Sequence, residues 1–118
     1  GTVVDSQKGR IYILPKGENL VRVIAKRTLR EFWEQGYAAA ERPLTEWYHM
    51  MAKADWPTPQ ALKAEIATAS ILKGGRVVFN IGGNKYRVIV SIRYSQQIAW
   101  VRFVGTHKQY DQVDAETI

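Results

Sequence analysis

The chain predicts an α+β fold of two layers: a short N-terminal strand, two helices, then a three-stranded antiparallel meander. Three observations carry this. Apolar residues recur at helical spacing between Leu29 and Met51. From Arg76 onward the period changes to two. Residues suited to tight turns, such as Gly82-Gly83-Asn84, then separate the alternating runs. Strands that follow helices in this order bury both patterns by packing the helices on the sheet.

The first strand is Arg22-Val23-Ile24. Thr28-Leu29-Arg30-Glu31 reads as a capping box that opens the first helix. Leu29, Phe32 and Trp33 then share one face, and Gly36 supplies a stop. A second helix starts near Arg42-Pro43, with proline tolerated in the first turn. Its core face is Leu44, Trp47, Tyr48 and Met51, and His49 lies off that face. Asp55-Trp56-Pro57-Thr58-Pro59 breaks the helix, and Thr58 caps a short turn through Lys63.

In the meander, residues 77–81 form a strand. The next strand places Tyr86, Val88, Val90, Ile92 and Tyr94 on one side and Arg87, Ile89, Ser91 and Arg93 on the other. Ser95-Gln96-Gln97 turns the chain. In the last strand Ala99, Val101 and Phe103 alternate with Ile98, Trp100, Arg102 and Val104, and Gly105 ends it. The first 20 residues differ in character: they hold Gly9, Pro15 and Gly17, and one apolar run, 11–14, that suits an edge strand stopped by Pro15. They read as a leader or extension, with a single domain over 21–118.

Length and composition narrow the function. One domain of 118 residues supports a modest core. There is no cysteine, and the two histidines, His49 and His107, are far apart in sequence. A protein-bound metal and a cofactor are not expected. No apolar run approaches a membrane span of about 20 residues, so no membrane partner is expected. These features fit a cytoplasmic protein.

Charge is the strongest functional signal. Residues 66–110 contain no acid and seven basic residues: Lys73, Arg76, Lys85, Arg87, Arg93, Arg102 and Lys108. The whole chain carries +6, so the remainder sums to −1. A positive field concentrated on a sheet suits a polyanion, RNA or DNA first. The stretch ends in Thr106-His107-Lys108-Gln109-Tyr110, followed by Asp111. An imidazole after a strand end is placed where loops present catalytic groups, and its ordinary pKa of about 6.5 suits proton transfer. The same residues could also simply close the chain end. Strand arginines usually face water with their stems on apolar surface. A pair on one concave face, beside a histidine and a tyrosine, would instead hold a phosphate through guanidinium forks. Turn formation alone accounts for Asn84.

Several segments resemble the HigB family of type II toxin–antitoxin systems. They include residues 25–34, Pro43-Leu44 with Trp47-Tyr48, residues 54–59, Leu62-Lys63-Ala64, residues 76–87 and residues 102–111. The resemblance runs from about Val21 to Ile118 and leaves out the first 20 residues. It implies a RelE-like fold and an mRNA interferase, a metal-free endoribonuclease acting on mRNA at the translating ribosome and arresting growth. It implies as partners mRNA, rRNA and a HigA-like helix-turn-helix antitoxin, with operator DNA reached only through that antitoxin. In those terms His107 would move the proton, with Tyr110 and Lys108 as alternatives. Arg87 and Arg102 would hold the scissile phosphate, and Lys63, Lys73, Arg76, Lys85 and Asn84 would contact RNA. The competing reading is a basic sheet that binds RNA, or an acidic protein, without catalysis.

Overall fold

A computed structural model describes the backbone of residues 2–5 and 10–13 and the whole of residues 20–118. In the first segment β1 (Thr2–Asp5) pairs antiparallel with β2 (Arg10–Ile13). The expected strand at 11–14 falls on β2, while the proposed stop at Pro15 lies outside the described residues.

From residue 20 the chain forms β3 (Arg22–Ile24), α1 (Lys26–Glu34), α2 (Glu41–Ala52) and α3 (Pro59–Glu65). It continues through β4 (Ser70–Ile71), β5 (Arg76–Ile81), β6 (Tyr86–Arg93) and β7 (Ile98–Thr106) to α4 (His107–Tyr110). The expected meander is β5-β6-β7, paired antiparallel throughout. Two short strands widen it to five in the order β3-β7-β6-β5-β4. β3 runs parallel to β7, and β4, which the pattern did not reveal, pairs with β5.

The helices pack where their periodicity directs them. Leu29, Phe32, Leu44, Trp47, Met51 and Leu62 are buried against Val77, Phe79, Val88 and Val90 of the sheet. Phe79 lies between two indoles, 5.4 Å from Trp47 and 6.5 Å from Trp56. Thr58 caps α3 by accepting from the Ala61 amide at 3.2 Å, as expected. His49 is exposed.

The capping box expected at Thr28–Glu31 does not form. The cap position is Ala25, and Thr28 lies inside α1, where its amide already donates to the Ala25 carbonyl at 3.1 Å. Glu31 turns instead to Arg27, one helical turn away, at 2.7 Å. The strand leads directly into the helix, so the first turn begins before Thr28 is reached.

The last strand also departs from strict alternation. A β-bulge opposite Ile89 and Val90 places Arg102 between Val101, which pairs with Val90, and Phe103, which pairs with Ile89. One extra residue reverses the facing of everything beyond it. Ala99, Val101 and Val104 therefore face the helices, whereas Phe103 joins Val78 and Ile89 on the opposite side. The strand continues past Gly105 to Thr106. This second side is covered by the C-terminal segment, through Tyr110, Val113, Ala115 and Ile118.

Tyr94, expected to extend the β6 alternation, falls in a single 3₁₀ turn. Its hydroxyl is buried with no partner among the described residues, and burial pushes the phenol above its ordinary value of 10.0. Ionisation is thus easier in the unfolded chain, so this residue's contribution is intact below about pH 10 and falls away as pH rises above it. Tyr94→Phe should raise stability by up to about 1 kcal/mol at neutral pH, since it removes an unsatisfied polar group. It should also flatten the loss of stability above pH 10. Urea titrations at pH 7 and pH 10.5 would show both effects, and a destabilised variant would contradict them. Among the described residues, no helix is long and apolar enough to cross a membrane.

Candidate active site

The site is assembled where β7 ends. Thr106 caps α4 by accepting from the Gln109 amide at 3.1 Å, and the Gln109 side-chain oxygen accepts from the Thr106 amide at 2.8 Å. This is a capping box with glutamine in the acidic residue's place. The Gln109 side-chain nitrogen then donates to the Tyr37 hydroxyl at 2.9 Å, linking α4 to the chain just after α1. From the strand side, the His107 amide donates to the Lys85 carbonyl at 3.1 Å. Gly105 allows the turn to fold this tightly. A Cβ there would lie 2.5 Å from the Phe103 ring and 2.9 Å from the Gln109 side-chain oxygen.

The turn brings together three of the expected catalytic groups. His107 Nδ1 lies 3.3 Å from Asp111 Oδ2, and both side chains are exposed. With Nδ1 facing a carboxylate, Nε2 is the ring nitrogen available to a substrate. The Arg87 guanidinium sits 5.8 Å from the Tyr110 ring centroid. Arg87 itself is buried, and its Nη1 donates to the Asn84 and Tyr86 carbonyls at 3.0 and 3.1 Å. Those two bonds fix the fork on one side. Nε and Nη2 take no partner among the described residues and are not sealed from solvent, which leaves the paired donors that suit a phosphate oxygen. Across the sheet Arg87 lies between Asn80 on β5 and Gly105 on β7, so an asparagine and an open glycine border it.

The remaining predicted residues are placed as follows. Lys108 is exposed on α4, and Lys85 and Asn84 are exposed at the β5–β6 turn, where Asn84 adopts φ +80°. Asn84 also borders an open cleft with Thr68, Asn80 and Gly83. Lys73 is exposed before β5. Lys63 is engaged internally, donating to the Ala67 and Ala69 carbonyls, both at 2.6 Å. Arg76 is likewise occupied by the Ile118 carbonyl at 2.7 and 3.1 Å and the Ser91 hydroxyl at 3.1 Å. Arg102 does not join the His107 corner; it lines a separate cavity with Arg93 and Trp100. Sequence reasoning assigned no role to Tyr37 or to the Thr106–Gln109 pair. The Thr-x-x-Gln spacing was the available signal for the pair, whereas the partnership with Tyr37 spans 72 positions and leaves no local trace.

Helices on one face of a small, mostly antiparallel sheet, arginines on the opposite face and a histidine turn at its rim are consistent with a RelE-like α+β fold. Residues 40–113 match the model of the HigB toxin, described as the RelE-like toxic component of a toxin–antitoxin system. The chain is 30% identical over 93 residues to the mRNA interferase toxin HigB of Escherichia coli K12, covering 77% of this chain and 88% of that relative. The mRNA interferases HigB of Escherichia coli O157:H7 and Shigella flexneri align with the same identity and coverage. The chain belongs to the HigB toxin family, and membership implies an antitoxin partner.

Proposed function

We propose that this toxin is an endoribonuclease that cleaves mRNA through its own side chains. The carrying observation is the half-satisfied Arg87 guanidinium beside Tyr110, which shares α4 with His107. His107 Nε2 removes the proton of a ribose 2′-hydroxyl, whose oxygen attacks the adjacent phosphorus. The P–O5′ bond breaks, leaving a 2′,3′-cyclic phosphate and a 5′-hydroxyl once the leaving oxygen is protonated. Arg87 opposes the charge that builds on the phosphoryl oxygens, and Tyr110 packs against its guanidinium. Lys108, Lys85, Lys73 and Asn84 are free to contact RNA backbone; Lys63 and Arg76 would first have to release internal carbonyls. The substrate is mRNA on the translating ribosome, in the cytoplasm. The antitoxin is of the HigA type, carries a helix-turn-helix domain and brings the complex to operator DNA. Residues 1–20 are an extension outside the toxin domain.

Induced expression should stop growth and yield new 5′-hydroxyl ends within translated mRNA, mapped by ligation that distinguishes 5′-hydroxyl from 5′-phosphate. His107→Ala, at an exposed position, should remove the ends and the arrest together while leaving the melting temperature within about 2 °C, since exposed substitutions change stability by less than about 0.5 kcal/mol. Full toxicity in that variant would exclude His107 from the chemistry.

A further inference from the structure

The cavity that holds Arg102 is on the same side of the sheet as Arg87 but toward the other end of β7. Trp100 pairs with Ser91 across the sheet, and Gly105 pairs with Arg87. The separation from Trp100 to Gly105 is roughly 16 Å at about 3.3 Å per residue. The cavity measures ≈ 270 Å³ and is lined by Gly74, Ser91, Ile92, Arg93, Trp100 and Arg102, with no acidic residue among them. Arg93 lies 5.8 Å from the Trp100 ring centroid. The Arg102 side chain is exposed on the bulge and makes no hydrogen bond among the described residues. Whole small-molecule ligands usually occupy about 300–1,000 Å³. This space is smaller, as suits one unit of a chain that continues outside it.

We propose that Arg93, Trp100 and Arg102 form a nucleotide-binding subsite for single-stranded RNA, distinct from the cutting corner at Arg87 and His107. The indole offers a stacking face for one base, and Arg102 takes the phosphate beside it. Stacking accepts any base, because every base has a π-face, and guanidinium contacts supply the charge. Arg102 is thereby a binding residue that acts at a distance from the scissile bond. An acidic peptide would satisfy the arginines but would leave the indole face unused. The bulge gives this assignment its geometry: the extra residue projects Arg102 out of the ladder.

The subsite rests on the RNA-cleaving reading, and the two can fail separately. The probe is a labelled single-stranded 2′-O-methyl oligoribonucleotide, which cannot be cut by 2′-hydroxyl attack, titrated against the full chain by fluorescence anisotropy. Trp100→Leu and Arg102→Gln should each raise Kd about 5- to 30-fold, and Trp100→Phe, which keeps a ring, should recover most of the loss. Arg102→Gln should also reduce the slope of log K against log salt by about 0.7. On cleavable RNA the defect should appear in KM, whereas a defect at Arg87 should appear in kcat. If Trp100→Leu fails to fold, Arg102→Gln, altered at an exposed side chain, still decides the matter. A wild-type chain that cuts RNA while both variants bind within twofold of it overturns the subsite alone. A wild-type chain that neither binds nor cuts RNA removes the subsite together with the reading beneath it.

Discussion

Arg87→Ala should lower the cleavage rate about 10²- to 10³-fold, the usual cost of deleting one preorganised charge-stabilising donor. Rate constants on saturating RNA would show it, alongside loss of growth arrest. The size follows from how the residue is held. Two carbonyls fix Nη1, so the rest of the fork is set in place before substrate arrives and needs no ordering at the moment of reaction. Arg87→Lys should recover little, because an ammonium keeps the charge but not the planar fork. Truncation also leaves the Asn84 and Tyr86 carbonyls without this donor, so a stability loss of about 1–2 kcal/mol should accompany the kinetic defect. The alanine variant must therefore be assayed well below its melting temperature. Full activity in a folded Arg87→Ala protein would remove Arg87 from the mechanism.

Gln97→Met should cost about 3 kcal/mol, with a fall in melting temperature on the order of 10–20 °C for a domain of this size. Gln97 is buried, and its amide acts as a piece of backbone. The side-chain oxygen accepts from the Trp56 amide at 3.1 Å, and the nitrogen donates to the Trp56 and Tyr94 carbonyls at 2.5 and 3.0 Å. Its own carbonyl accepts from Arg22 at 2.8 Å, where β3 joins the sheet. Methionine matches the length and supplies none of these bonds, so it leaves buried polar groups of Trp56 unpaired. Thermal and urea denaturation would measure the loss. An unchanged midpoint would mean that water replaces the amide without cost.

Gln97 shows where the sequence ceased to be legible. Within its turn it is one more polar residue, and its partner Trp56 is 41 positions away. Periodicity could place Leu44, Trp47 and Met51 in the core, and alternation could place Val88 and Val90 there, because burial repeats along each element. The strand edges were less visible: β4 is two residues long, too short for a period. The capping-box spacing at Thr28 is right but a preceding strand already feeds the helix, and the box forms at Thr106, where glutamine does the acid's work. At the site, His107, Tyr110 and Arg87 were legible because their chemistry is distinctive and their order along the chain brings them to one sheet end. Arg102 is grouped with them by its charge on a neighbouring strand and by the family resemblance, and the structure sets it on the bulge, where it lines a separate cavity. Neither Lys63 nor Arg76 carries any sequence mark of its internal partner, since a charge reads the same whether it faces water or a carbonyl.

The bulge at Arg102 also acts as a reading frame for the surface. Upstream of it, odd-numbered residues face the helices; downstream, even-numbered ones do. A chain lacking Arg102 would pass from a bulge to plain alternation, with Val101 still opposite Val90, Phe103 still opposite Ile89 and Val104 still in the helix layer. Gly105 would still stand beside Arg87, and the histidine turn would leave from the same side. Loss of one residue is thus more tolerable at this point than within the regular stretches of the same ladder, where it would flip every side chain beyond it. In a library of single-codon deletions, loss of position 102 should cost no more toxicity than removal of the Arg102 side chain, whereas loss of the histidine should abolish it.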